Sequence, residues 1–151
     1  MNADHTLCRR FLQGGRVPLD MEGNPLAQAL AGSILELDSA GRALLAFVPP
    51  QQFVQAAHVL QGGIIAAMLD FAMVFAAHAS LEGNPAFSTA TLSVNLLRPA
   101  VPARYLASGR IVRKGRKLLF ADAELLPSDG GRPLATATSV IALVSGEREI
   151  R

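Results

Sequence analysis

The chain is predicted to be an α+β protein in which one antiparallel sheet curves around a single buried helix. Three observations carry this. Residues 62–77 (GGIIAAMLDFAMVFAA) are apolar on every side rather than along one stripe, the mark of an enclosed helix. Four runs after it alternate apolar and polar residues between tight turns, and two shorter alternating runs precede it.

The elements follow in chain order. Residues 4–13 and 24–32 are predicted short helices, the second with Asn24 as cap and Pro25 at the first helical position. Residues 33–38 and 42–48 form a predicted hairpin about Ser39-Ala40-Gly41, ended by Pro49-Pro50. Residues 51–60 read as a loop anchored by Phe53 and Val54, and the helix is predicted over 62–79. Strands are predicted over 88–97, 104–113, 117–126 and 134–144, with Arg98-Pro99, Lys114-Gly115 and Ser128-Asp129-Gly130-Gly131 punctuating them. The expected division is an N-terminal extension over 1–32, the sheet-and-helix domain over 33–145, and a tail over 146–151.

Composition narrows the function classes. The 151 residues suit one domain with a real core. Half of them are hydrophobic and 17% charged, which suggests that self-association hides some apolar surface. A net charge of +2 gives no argument for nucleic acid, and the cations are dispersed except near residues 110–117. Cys8 is the only cysteine, so no internal disulfide or cysteine-based metal site is expected. It falls in a segment expected to be mobile, which argues against a catalytic thiol. Arg9 and Arg10 precede FLQGG, which is not an unbroken apolar signal core, and the 62–77 stretch is short for a bilayer and carries Asp70. The expectation is a cytoplasmic protein without a membrane partner.

Asp70 is the one ionisable residue in the apolar stretch. A carboxylate in such surroundings needs compensation, and groups with shifted pKa values cluster at functional sites. Gly62 and Gly63 open the same stretch, and a helix N-terminus presents free N–H groups. Together these could polarise a carbonyl and deliver water to it. A core carboxylate bonded to a backbone N–H or an arginine is the other reading of the same residues. The chain has no His-x-x-x-His or His/Asp cluster at ligand spacing, no phosphate-binding glycine loop and no serine nucleophile elbow. His78 is expected to be exposed beyond the buried turns.

QAAHVLQGGIIAAMLD (55–70), followed by TATLSVNLLRPA (89–100) and GRIVRKGRKLLFADAEL (109–125), resembles the hotdog-fold thioesterases of the phenylacetic-acid-degradation (PaaI-like) type. The likeness spans about residues 35–145. It implies hydrolysis of an acyl-CoA thioester, with CoA as part of the substrate, no separate cofactor and no metal. By the same resemblance Gly62 supplies the oxyanion N–H, Asp70 the catalytic carboxylate, and Gln55 and Thr89 position water or thioester. Asp70 acts as general base or as nucleophile; both stay open. Gln61, Gly63 and His58 are expected beside the substrate, and Arg98 and Arg116 near the CoA phosphates, with Arg113, Lys114 and Lys117 close by. The family's histidine before the paired glycines is Gln61 here, and His58 stands where a small residue is usual. Phe53, Phe71 and Met73 are expected to line the acyl group.

Gly62 and Asp70 are eight residues apart, about 12 Å of helix. One thioester carbon cannot touch both within one chain. In the family the acid faces another subunit's glycine, which implies a homodimer or homotetramer. A non-catalytic acyl-CoA or effector-binding module is the alternative from a different class. A hydratase of the same fold fits less well, because those enzymes pair an Asp with a His that this spacing lacks.

Overall fold

The structure, a computed structural model, describes residues 2–15 and 17–144. The order is α1 (Ala3–Leu12), β1 (Leu19–Asp20), α2 (Pro25–Ala29), β2 (Ser33–Asp38), β3 (Arg42–Phe47), a 3₁₀ turn (Gln51–Phe53), α3 (Gly62–Ser80), β4 (Phe87–Leu96), β5 (Tyr105–Lys114), β6 (Leu118–Pro127) and β7 (Ala135–Leu143). The predicted tail over 146–151 lies outside the described residues.

All seven strands join in one antiparallel sheet, ordered β1-β2-β3-β5-β6-β7-β4. The four strands after α3 stand within one residue of their predicted bounds, because alternation and turn chemistry are both strong there. β1 has only two residues and therefore no readable periodicity. The second predicted helix stops at Ala29, not at residue 32. Ala31 adopts a φ of 48°, and Gly32 then passes under Phe47, where a Cβ would sit 2.8 Å from the ring.

α3 lies across the inner face of the sheet, chiefly on β5, β3 and β6. Gly109 in β5 permits this approach, since a Cβ there would come within 2.4 Å of the Ala72 carbonyl oxygen. Ile65, Met68, Leu69, Ala72, Met73, Phe75 and Ala76 fill the space between helix and sheet. The apolar ring predicted burial all round, but Gly63, Ala67, Asp70 and Val74, one stripe at helical spacing, are only partly covered or are exposed. α3 has 19 residues, long and apolar enough to cross a bilayer. Its packing in this core, rather than its length, argues against a spanning role.

Two expectations, a mobile Cys8 and an exposed His78, are corrected. Residues 3–12 form a capped helix, with Asn2 accepting from the Asp4 N–H. Leu7 and Cys8 lie in the core, so Cys8 is fixed, and burial pushes its thiol up to about 12. His78 is buried rather than exposed, because α1 packs over the C-terminal end of α3. Its ring meets His5, Phe75 and Phe87. Burial first, and the neighbouring His5 second, lower its pKa to about 4.

Candidate functional site

The N-terminus of α3 is built without a side-chain cap. Gln61 is the N-cap, with φ −58° and ψ 136°, and its side chain bonds to no helix N–H. The Gly62 and Gly63 N–H groups have no acceptor among the described residues. They point outward with the positive end of the helix dipole. A Cβ at Gly62 would meet the far end of the Leu96 side chain at 2.8 Å, so any larger residue requires that leucine to turn aside. Gly63 differs: a Cβ there would meet nothing within 4 Å. The fold of one chain does not require glycine at that position.

The segment before the helix is a small closed loop. Gln55 and Val59 are joined by a 2.8 Å backbone hydrogen bond, Val54 bridges Leu60, and His58 takes a φ of 61°. This loop returns to α3 through the Gln61 N–H, which donates to the Phe53 carbonyl at 3.0 Å. Gln55 and Gly62 thereby line one cavity of about 290 Å³, together with Leu96 and Arg98. Gln61 and Gly63 are exposed beside it, and His58 sits on the exposed turn without lining it. The Arg98 guanidinium donates to the Arg132 and Pro133 carbonyls, so it also pins the loop before β7.

Asp70 stands two turns along α3, half-buried on the stripe that the chain leaves uncovered. The Thr89 hydroxyl, reaching from β4, donates to its Oδ1 at 3.0 Å. Desolvation raises the Asp70 pKa above the ordinary carboxylate range, and the Thr89 bond opposes part of that rise. A carboxylate held in one orientation, partly dry and raised in basicity is suited to accepting a proton from water.

The structure thus makes two groups: Gln55, Gly62 and Arg98 at the helix start, and Asp70 with Thr89 farther along. Arg116 belongs to neither within one chain. It lies in the β5–β6 turn, which Lys114 ties to the far end of α3 through the Ser80 carbonyl at 2.6 Å. Met73 is fully buried against the sheet and cannot line an acyl group, contrary to expectation. Phe71 packs partly on Phe47, with ring centroids 6.0 Å apart. Leu96 was not singled out from the sequence, although it roofs Gly62. Its alternation with Leu92 and Val94 signals a shared face, but not that the face overhangs a helix start. Among the described residues no cluster of His, Cys, Asp or Glu could hold a metal.

Comparison with known proteins agrees with this architecture. The family model described as "Thioesterase superfamily" matches residues 57–134, half of the chain. A phenylacetic acid degradation-related protein from Ralstonia eutropha JMP134 superposes with a TM-score of 0.77 at 29% identity, over 91% of this chain and 99% of that one. The PaaI protein of the E. coli phenylacetic acid degradation operon gives 0.77 at 17% identity, over 96% and 98%, and speaks for the fold alone. A curated "putative esterase" of Saccharolobus solfataricus is 29% identical over 92 residues, 60% of this chain. The match spans 64% of that relative's length. A sheet wrapped on one long helix, a glycine-opened helix start and these matches place the chain in the thioesterase superfamily, with hotdog architecture and PaaI-like structural neighbours.

Proposed function

We propose that the protein hydrolyses acyl-CoA thioesters, and that each active site is shared by two copies of the chain. The half-buried Asp70 carboxylate, held by Thr89 on the uncovered stripe of α3, carries this reading. In the reaction, the thioester carbonyl accepts from the Gly62 N–H at one subunit's helix start. Asp70 of the other subunit takes a proton from water as the water oxygen attacks the carbonyl carbon. The tetrahedral oxyanion then collapses, the C–S bond breaks, and CoA leaves as thiolate to be protonated. The Thr89 bond to Oδ1 leaves Oδ2 for the water. Gln55 and Gln61 border the carbonyl, Gly63 leaves room for the pantetheine, and Arg98 and Arg116 face the CoA phosphates.

Two features support the sharing of the site. Gly62 and Asp70 are separated by about 12 Å of helix. β4 is the terminal strand of the sheet, with Leu92 and Leu96 exposed at 39% and 54%, so a second copy has an unpaired edge and apolar surface to cover. Thiol release from a panel of acyl-CoA esters tests the activity, and turnover lost in Asp70→Asn supports the assignment. Full turnover in that variant refutes it. Single turnover in H₂¹⁸O with a hydroxylamine trap separates the two roles of the carboxylate: label in Asp70 or a trapped acyl group marks a mixed anhydride, and label only in the product acid with nothing trapped marks general-base attack. Gln61, which stands in place of the family's histidine and makes no side-chain cap bond, is the ground for the binding-module alternative. Tight acyl-CoA binding without turnover is its signature.

A further inference from the structure

The cavity beside Gly62 is built in a way that oxyanion stabilisation alone does not require. Leu60, Ile65 and Ala100, three buried apolar residues, line it, and Val59 and Leu97 extend the apolar lining. Its walls are tied to one another and to the sheet. The Leu60 N–H donates to the Ala100 carbonyl at 2.7 Å, and the Leu97 and Arg98 N–H groups donate to the Leu134 carbonyl at 2.9 and 3.1 Å. The cavity, about 290 Å³, is therefore formed before a ligand arrives.

A thioester whose carbonyl accepts from the Gly62 N–H carries two arms, acyl on one side of the carbon and thiol on the other. The thiol arm of CoA is long, polar and ends in a nucleotide, so it needs an open path. Gly63 offers one: it is exposed, and a Cβ there would meet nothing within 4 Å. A cavity lined by buried hydrocarbon suits the other arm. Ligand pockets commonly run from about 300 to 1,000 Å³, and this one lies at the small end. At about 30 Å³ for each water-sized group, it holds roughly ten such groups. We infer that this cavity is the acyl subsite, that Val59 limits its length, and that the preferred substrates carry a compact apolar acyl group of about ten carbons or fewer. The inference rests on the thioesterase reading above and adds the class of acyl group. Phe53 and Phe71, expected beside that group, do not line this cavity.

Val59 is the position at which size can be varied. It is half-buried in the loop before α3, outside the seven-stranded sheet, and its carbonyl rather than its side chain holds the Gln55 N–H at 2.8 Å. A larger side chain shortens the cavity, and a smaller one lengthens it. One methylene in an apolar pocket changes kcat/KM by about 10–200-fold, so even a small change in length is measurable.

The test measures kcat/KM for straight-chain acyl-CoA esters from acetyl to palmitoyl, and for the matching N-acetylcysteamine esters, with the wild type, Val59→Trp and Val59→Ala. In the wild type, palmitoyl-CoA is expected at least about tenfold below the best ester. Val59→Trp is expected to lower the octanoyl-to-acetyl ratio of kcat/KM at least about tenfold, and Val59→Ala to raise the decanoyl-to-acetyl ratio. Both shifts are expected on the N-acetylcysteamine esters too, because these keep the acyl group and lack the nucleotide. Ratios unchanged in both variants overturn the inference, as does a wild type that hydrolyses palmitoyl-CoA as well as octanoyl-CoA. Shifts confined to the CoA esters overturn it in favour of the thiol arm as the occupant. If no acyl thioester of any length turns over, the thioesterase reading itself fails. Should Val59→Trp fold poorly, the opposite shift in Val59→Ala decides the matter.

Discussion

Replacing Gly62 by proline deletes one N–H from the start of α3 while leaving the helix intact, and so isolates the proposed oxyanion donor. Gly62 is the first helical residue, where proline is well tolerated because that N–H has no intrahelical partner. Proline also restricts the residue before it to extended backbone. Gln61 already has φ −58° and ψ 136°, which satisfies that restriction. The new Cβ meets only the far end of the Leu96 side chain, 2.8 Å away, which can turn aside. Proline at a compatible position typically stabilises by about 0.4–1 kcal/mol, through a less flexible unfolded chain. The variant should therefore fold with little change in its denaturation midpoint. Loss of one oxyanion donor costs about 2.7–4 kcal/mol, a fall of roughly 10²–10³ in kcat. Thiol release from a responsive acyl-CoA measures this, with Gly62→Ala as the control that adds the same Cβ but keeps the N–H. Near-normal kcat in a folded Gly62→Pro enzyme refutes the role of this N–H. Equal losses in the proline and alanine variants refute it too, because they trace the effect to the Leu96 contact.

Three further outcomes are expected. Thr89→Val removes the hydroxyl that favours the ionised Asp70, so the acid limb of the kcat/KM profile moves to higher pH; the lost charge-assisted bond, about 1.5–3 kcal/mol, sets the accompanying fall in rate at roughly tenfold or more. Asp70→Asn abolishes turnover but resists denaturant better than the wild type at neutral pH. The folded protein raises the Asp70 pKa, so it holds the proton longer than the unfolded chain does, and ionisation subtracts stability as pH rises through that window. His78 has the opposite sign: its pKa falls from 6.5 to about 4, so the unfolded chain takes up the proton first and stability drains away as pH falls between those values. Urea midpoints for His78→Phe should fall less steeply across that interval than those of the wild type.

The parts of the fold legible in the sequence were those fixed by local pattern. Strands β4 to β7 alternate cleanly, and α3 is apolar for its whole length, so both could be read without tertiary knowledge. His78 and Cys8 could not. Their burial comes from α1 folding back on α3, a long-range contact that no local periodicity encodes. Met73 was misplaced for a related reason, since a helix apolar on all sides does not disclose which side meets the sheet. At the candidate site, the spacing of Gly62 and Asp70 and the choice of Thr89 were legible. The second task of Arg98, holding the Arg132 and Pro133 carbonyls, was not, because that loop lies 34 residues away. The uncovered stripe Gly63–Ala67–Asp70–Val74 emerged only once the sheet was seen to cover the opposite side of α3.

The central claim is that Gly62 of one copy and Asp70 of another serve the same thioester. Co-expression of Gly62→Pro and Asp70→Asn chains under separate affinity tags, with tandem purification of the mixed species, tests it directly. Each variant alone should be nearly inactive. In the mixed dimer one site regains both an intact Gly62 and an intact Asp70, while the other loses both, so about half of the wild-type activity per dimer is expected. A mixed species as inactive as its parents would show that both residues act within one chain, or that they do not act together, and would contradict the shared site.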